Sequence, residues 1–159
     1  MKLSRRNFLG ASASAVLVAG TKAKGKVFGA NERISVAFIG VRGQGSHLRR
    51  EMSGRDDVEI AALCDVDERL LKMRLLEAKE DIGHELKSYQ DVRDVMADDS
   101  IDAVCIATPN HWHALIAIWA MQAGKDVYLE KPMSHNVFEG QQLTHAAEKY
   151  GRIVQHGTH

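Results

Sequence analysis

The sequence is poor in the residues that cross-link chains or gather metals. It holds two cysteines, Cys64 and Cys105, each inside an apolar run, "EIAALC" and "IDAVCIAT". In the strand order argued below another strand separates them, which puts them beyond the ~4.4–6.8 Å Cα spacing of a disulfide. Both read as buried small hydrophobes. No spacing suggests a zinc site, because His111 and His113, two residues apart, do not share a helix face. Net charge is also missing, since 21 basic residues cancel 21 acidic ones. The balance is uneven along the chain. Residues 1–26 contain Lys2, Arg5, Arg6, Lys22, Lys24 and Lys26 and no acid, leaving 15 basic against 21 acidic residues in the remainder. An acidic body of that kind is no nucleic-acid binder on electrostatic grounds. The apolar run from Phe8 to Gly20 is too short to span a bilayer comfortably as a permanent anchor. Internal repeats and low-complexity tracts are absent. What is present, 159 residues of which 45% are hydrophobic and 26% charged, is enough for one core of domain size and not for a second.

The first segment, "MKLSRRNFLGASASAVLVAG", has a basic start, paired arginines and a small-residue apolar run. This is the layout of a bacterial export signal, and "SRRNFL" resembles the twin-arginine type. Residues 1–31 are therefore expected to be a signal and linker, with the twin-arginine export machinery as a partner and the periplasm as the destination. That route carries proteins already folded, which suits a chain that takes up a cofactor before leaving the cytoplasm. "TKA" at residues 21–23 is a weakly marked cleavage site. Cleavage leaves no stable membrane span, and retention of the segment leaves a tether.

From residue 32 to 159, strand and helix patterns alternate. Strands are expected at "RISVAFIG" (33–40), "VEIAALCD" (58–65), "KSYQ", "IDAVCIAT" (101–108), "DVYLE" and "RIVQH". Between them lie the helical patterns "SHLRREMSG", closed by Gly54; "DERLLKMRLLEAKE", with Leu70, Met73 and Leu76 at helical spacing; and "DVRDVMADD", capped by Asp91. "HWHALIAIWAMQAG" is apolar on most faces and stopped by Gly124. "VFEGQQLTHAAEKYG" opens with Asn136 and Glu139 in capping-box spacing and is expected to bury Val137, Leu143, Ala147 and Tyr150. Strands apolar throughout, joined by helices, pair in parallel with helices on both faces. The fold class is α/β, a doubly wound parallel sheet of order 3-2-1-4-5-6, with a crevice between strands 1 and 4 at their carboxyl ends.

The turn after the first strand, "GVRGQGSH", packs Gly40, Gly43 and Gly45 into six residues. Glycines there allow a tight turn and close approach of main chain to a pyrophosphate at the helix N-terminus. Read from Gly40, the G-x-G-x-x-G pattern keeps its first and third glycines and has Arg42 in place of the second. Arg42 turns outward or offers its guanidinium to a phosphate, and a plain strand-to-helix turn is the alternative reading of the whole segment. Asp65 ends the second strand 20 residues beyond Gly45. An acid there can bind the adenosine ribose hydroxyls and repel the extra phosphate of NADP, which favours NAD; the rival role is a helix cap, and Asp67 can take that one. "ATPNHWHA" begins where the fourth strand leaves the sheet, and Pro109 biases Thr108 toward extended geometry. His113 is a polar lining of that pocket or a surface histidine of the first helical turn. Lys131, in "VYLEKPMSHN", follows the fifth strand, and Pro132 keeps it out of helical geometry.

Taken in order, "VAFIGVRGQG", "ALCDVDE", "VCIATPNHWH", "AGKDVYLEKPMS" and "GRIVQHGTH" resemble the N-terminal domain of the glucose-fructose oxidoreductase, inositol dehydrogenase and rhizopine-catabolism family, Gfo/Idh/MocA. The likeness covers residues 33–159 and is most specific at "AGK-x-V-x-x-EKP". It implies bound NAD or NADP, of which Asp65 makes NADP the lesser candidate, and hydride exchange with a carbon of a sugar, inositol or related polyol. Lys131 maps onto a lysine beside the nicotinamide, where a cation would hold or polarise the reacting oxygen or relay a proton. Thr108, Pro109, Asn110, His113 and Glu130 match positions lining the nicotinamide and its ribose. The resemblance also implies a second, substrate-binding sheet domain, absent from a chain of this length, and a homo-oligomer in the complete protein. Two other functions stay open: an NAD-dependent glycosidase of the same fold, and a nucleotide-binding fragment without turnover.

Overall fold

The computed structural model describes residues 33–158. The expected signal and linker, residues 1–31, lies outside the described residues. In chain order the elements are β1 (Ile34–Ile39), α1 (Gly43–Ser53), β2 (Val58–Cys64), α2 (Glu68–Ile82), β3 (Lys87–Tyr89) and α3 (Val92–Ala97). They continue with β4 (Ala103–Ile106), α4 (Asn110–Gln122), β5 (Asp126–Leu129), α5 (Val137–Tyr150) and β6 (Val154–His156). The six strands form one parallel sheet in the order β3-β2-β1-β4-β5-β6, as the sequence pattern requires.

Side chains alternate across that sheet, so each central strand feeds two cores. Ala37, Ile39, Val104, Ile106, Val127 and Leu129 face α3, α4 and α5. Val36, Phe38, Ile60, Leu63 and Cys105 face α1 and α2. Each large side chain among them contributes roughly 1.5–3 kcal/mol by leaving water. A break in register between β1 and β2 leaves Ala61 unpaired, because Val36 pairs with Ile60 and Ala37 with Ala62. This bulge flips the phase of β2: Ile60 packs on the α1/α2 side, whereas Ala62 and Cys64 pack on the other. Cys64 and Cys105 therefore stand on opposite faces with β1 between their strands, both free. Burial, aided by nearby carboxylates, pushes each thiol up to about 12. Only about 10⁻⁴ of each is thiolate at pH 8. A thiol-specific disulfide reagent should release nothing from the native chain at that pH and two equivalents after denaturation; fast reaction of the native protein would show that these strands open.

Several local expectations are corrected. Of the helically spaced Leu70, Met73 and Leu76 in the second helix, Leu70 is partly covered, whereas Met73 and Leu76 are 46% and 68% exposed; the helix buries Leu71 and Ala78, with Leu75 and Ile82 partly covered. Both series run at helical spacing in a leucine-rich segment, and the angle at which α2 meets the sheet selects one. In α5, Val137 is 79% exposed, while Gly140, Leu143 and Ala146 are buried, and Ala147 and Tyr150 pack against the core. The chain at Met133 and Ser134 crosses the first turn of α5 at Gly140, so Val137 lies beyond the covered face. Helix α1 starts at Gly43, three residues before the expected start, and β4 ends at Ile106, two before. The capping aspartates are as expected: Asp67 accepts from Leu70 N and Asp91 from Arg93 N. The box at α5 is modified, since Asn136 accepts from Glu139 N but Glu139 reaches back to His135 N.

Candidate functional site

Because all strands run in parallel, their carboxyl ends share one edge, and the helices after β1 and β4 leave it on opposite faces, opening a crevice between them. A cavity of about 750 Å³ lies there, walled by Gly40, Asp65, Val92, Thr108, Trp112 and Trp119 among others. Trp112, Ile116 and Trp119 recur at helical spacing along α4 and give one wall an apolar, aromatic surface.

The glycines of the first turn do different jobs. Gly40 has φ 84°, and a Cβ there would meet Ala107 O at 2.7 Å. A Cβ on Gly45 would meet Gly40 O at 1.8 Å, so the helix seats against its own turn only because that side chain is missing. Gly43, by contrast, has nothing within 4 Å of an added Cβ. It begins α1, which, unlike α2, α3 and α5, has no side-chain cap. The first-turn amides are left for another acceptor in the space over Gly43. Arg42 lines the cavity, and its guanidinium, 73% exposed, pairs with Asp67 at 3.1 Å.

Asp65 bridges the turn and the next helix. Its Oδ2 accepts from Val41 N and its Oδ1 from Asp67 N, both at 3.0 Å. The cap of α2 is Asp67, so Asp65 is not spent on that role, and each of its oxygens keeps acceptor capacity toward the cavity it lines.

On the other side, the exit of β4 supplies Thr108, whose Oγ1 is buried without a partner. Pro109 precedes α4 and Asn110 begins it. His113 does not line the cavity: it is 1% exposed, with Nδ1 2.7 Å from Pro132 O and Nε2 2.8 Å from Thr108 O. Glu130 is 3% exposed; it accepts from Gln44 Nε2 at 3.0 Å and from Lys131 N at 3.1 Å. Lys131 itself is exposed, precedes a cis peptide bond to Pro132, and has no carboxylate within ion-pair distance among the described residues. It stands outside the cavity wall, tied to helix α1 through Glu130 and Gln44. The sequence reading missed Gln44, whose partner is 86 residues away, and the Trp112–Trp119 wall, concealed in a helix apolar on most sides. Among the described residues no group of three His, Cys, Asp or Glu could hold a metal, and no helix is long and apolar enough to cross a membrane.

A parallel sheet of this order, with a glycine turn at its switch point, an uncapped helix above it and an acid at the end of β2, defines a Rossmann dinucleotide-binding domain. The family model described as "Oxidoreductase family, NAD-binding Rossmann fold" matches residues 34–158, and the chain belongs to that Gfo/Idh/MocA family. A glycosyl hydrolase family 109 protein of Shewanella pealeana is 33% identical over 172 residues, covering 94% of this chain and 38% of that one. An inositol 2-dehydrogenase of Salmonella paratyphi B is 32% identical over 126 residues, covering 78% and 36%. Among solved structures, GenD2 from gentamicin A biosynthesis in complex with NAD superposes with a TM-score of 0.73 at 26% identity, covering 84% of this chain and 36% of that one. The myo-inositol 2-dehydrogenase of Lactobacillus plantarum gives 0.69 at 26%, covering 79% and 36%. The chain thus spans a little over a third of the length of these relatives. The residues present fit a dinucleotide: Gly40, Arg42, Asp65 with its spare acceptor capacity and Thr108 with its unpartnered hydroxyl line one cavity, and the open space over Gly43 and the free first-turn amides follow directly on Arg42.

Proposed function

We propose that this chain is the cofactor-binding part of an oxidoreductase that exchanges hydride with a carbon of a sugar, inositol or related polyol, using NAD in preference to NADP. One observation carries the reading: two hydrogen bonds link Asp65 to the glycine turn through Val41 and the glycine helix to the Lys131 corner through Gln44 and Glu130. The three features expected to serve one dinucleotide are thereby held in one connected edge. A bound nicotinamide supplies the hydride chemistry. In this reading the α1 amides hold the pyrophosphate, and Asp65 accepts from the ribose hydroxyls and repels a 2′-phosphate. Thr108, Pro109, Asn110 and Glu130 shape the pocket where hydride passes, and the Lys131 ammonium holds the reacting oxygen and relays its proton.

Titration with NADH should give a saturable change in its fluorescence, and folded protein with no saturable signal would remove the reading. In Asp65→Ala the ratio of NAD to NADP affinity should fall about tenfold, equivalent to ~1.4 kcal/mol. The ratio is the informative quantity, because loss of the bonds to Val41 N and Asp67 N also costs about 1–3 kcal/mol of stability. An unchanged ratio would refute the ribose contact.

The likeness to the glycosyl hydrolase family 109 protein favours a second reading, a glycosidase that oxidises and re-reduces its sugar within one turnover. Net release of NADH with substrate separates the two. The paired Arg5-Arg6 ahead of Asn7-Phe8-Leu9 supports export to the periplasm by the twin-arginine route. Changing both arginines to lysine should leave the protein in the cytoplasmic fraction, and unaltered fractionation would refute that route.

A further inference from the structure

We propose that His113 is a positioning residue for the Lys131 corner, a buried imidazole that donates both ring N–H groups and ties the exit of β4 to the exit of β5. Its two partners, Thr108 O at 2.8 Å and Pro132 O at 2.7 Å, are carbonyl oxygens, which only accept. A neutral imidazole has a single N–H, so one of the two contacts would press a ring lone pair against a carbonyl in a wall closed to water. The ring with two protons satisfies both. The chain uses the same solution elsewhere: buried Lys125 donates its ammonium to Asp98 O at 2.7 Å and Ile101 O at 3.0 Å.

Glu130, the one buried carboxylate among the described residues, anchors one side of the corner through Lys131 N. His113 grips the same short segment, at Pro132. With Pro132 O held by the ring and Lys131 N held by Glu130 Oε2, the backbone on both sides of the Lys131 side chain is fixed, and only the side-chain torsions remain free. That this fixes a reacting group rests on the oxidoreductase reading; the double donation does not.

The test uses the 159-residue chain, ¹⁵N-labelled at histidine, without cofactor at pH 7. Long-range proton–nitrogen spectra should show one of the eight rings with both nitrogens protonated, identified by its contacts to Thr108 and Pro132 and lost in His113→Gln. A single-proton tautomer for that ring overturns the proposal. In His113→Gln, which can present donors from only one nitrogen, amide exchange at Lys131 should rise about tenfold while Ala107, bonded to Ile39 O in the sheet, is unchanged. Equal acceleration at both sites, or none at Lys131, also overturns it. NADH titration of the wild-type chain tests the oxidoreductase reading separately, since a doubly protonated ring in a chain that binds no NADH upholds the bracket and removes only that reading.

Discussion

Gly45→Ala is expected to lower stability by roughly 3 kcal/mol or more, at the upper end of what overpacking costs, and to abolish saturable NADH binding with it. The added Cβ would sit 1.8 Å from Gly40 O, and that oxygen belongs to the main chain of a turn already constrained by φ 84°. A crowding side chain can rotate away, but this carbonyl cannot move without shifting the whole turn. Gly40 is itself pinned against Ala107 O, 2.7 Å from where its own Cβ would fall, so a displaced turn would be pushed into the exit of β4. The remaining route, lifting α1 off the turn, would break the Gln44–Glu130 bond and pull Leu48 from the core. Gly43→Ala is the control. Its Cβ meets nothing, and alanine is the better helix residue by about 0.5–1 kcal/mol, so stability should hold or rise. NADH affinity should still fall, because that methyl takes the space proposed for the pyrophosphate. Thermal unfolding and NADH titration of both variants check this. A Gly45→Ala protein that melts with the wild type would mean that α1 does not seat on Gly40 as described.

The contrast between these glycines shows where sequence reasoning stops. All three were legible as a cluster after an apolar strand, but nothing in "GVRGQG" ranks them, because the rank comes from a carbonyl five residues back and from Ala107 at the exit of β4. The sheet order was legible because buried parallel strands are apolar along their whole length and right-handed crossovers leave few topologies. The covered face of α2 was not, since its five leucines and methionines in seven positions satisfy two helical stripes at once. Nor was the bulge at Ala61, which turns Cys64 toward the cavity through a slip that no alternation pattern records. The capping role of Asp67 was legible, because it stands just ahead of a helical pattern and accepts from Leu70 N, which leaves Asp65 in the cavity wall. His113 illustrates the opposite case: its environment is made by Pro132, 19 residues later, and exists only once β4 and β5 are neighbours.

Lys131→Ala, made in a chain extended to the length of its relatives, should lower kcat by about 10²–10⁴ and leave the NADH dissociation constant within about twofold. The separation follows from where the residue stands. Lys131 is not part of the wall around the cavity, and its ammonium is engaged by no carboxylate among the described residues, so truncation strands no buried partner. Glu130 keeps the Gln44 bond, and the main-chain donor at position 131 survives in alanine, so the corner retains both of its anchors. What disappears is a mobile cation at the end of a fixed backbone, available to the oxygen that changes charge as hydride leaves or arrives. Lys131→Arg should recover little, because a planar guanidinium stays charged and cannot release the proton that the relay needs. If kcat and NADH affinity instead fall together, Lys131 holds the cofactor and the proton must travel through another group. If neither changes, the ammonium is a solvated surface charge and the chemistry ascribed to this edge has to be sought in the remainder of the longer protein.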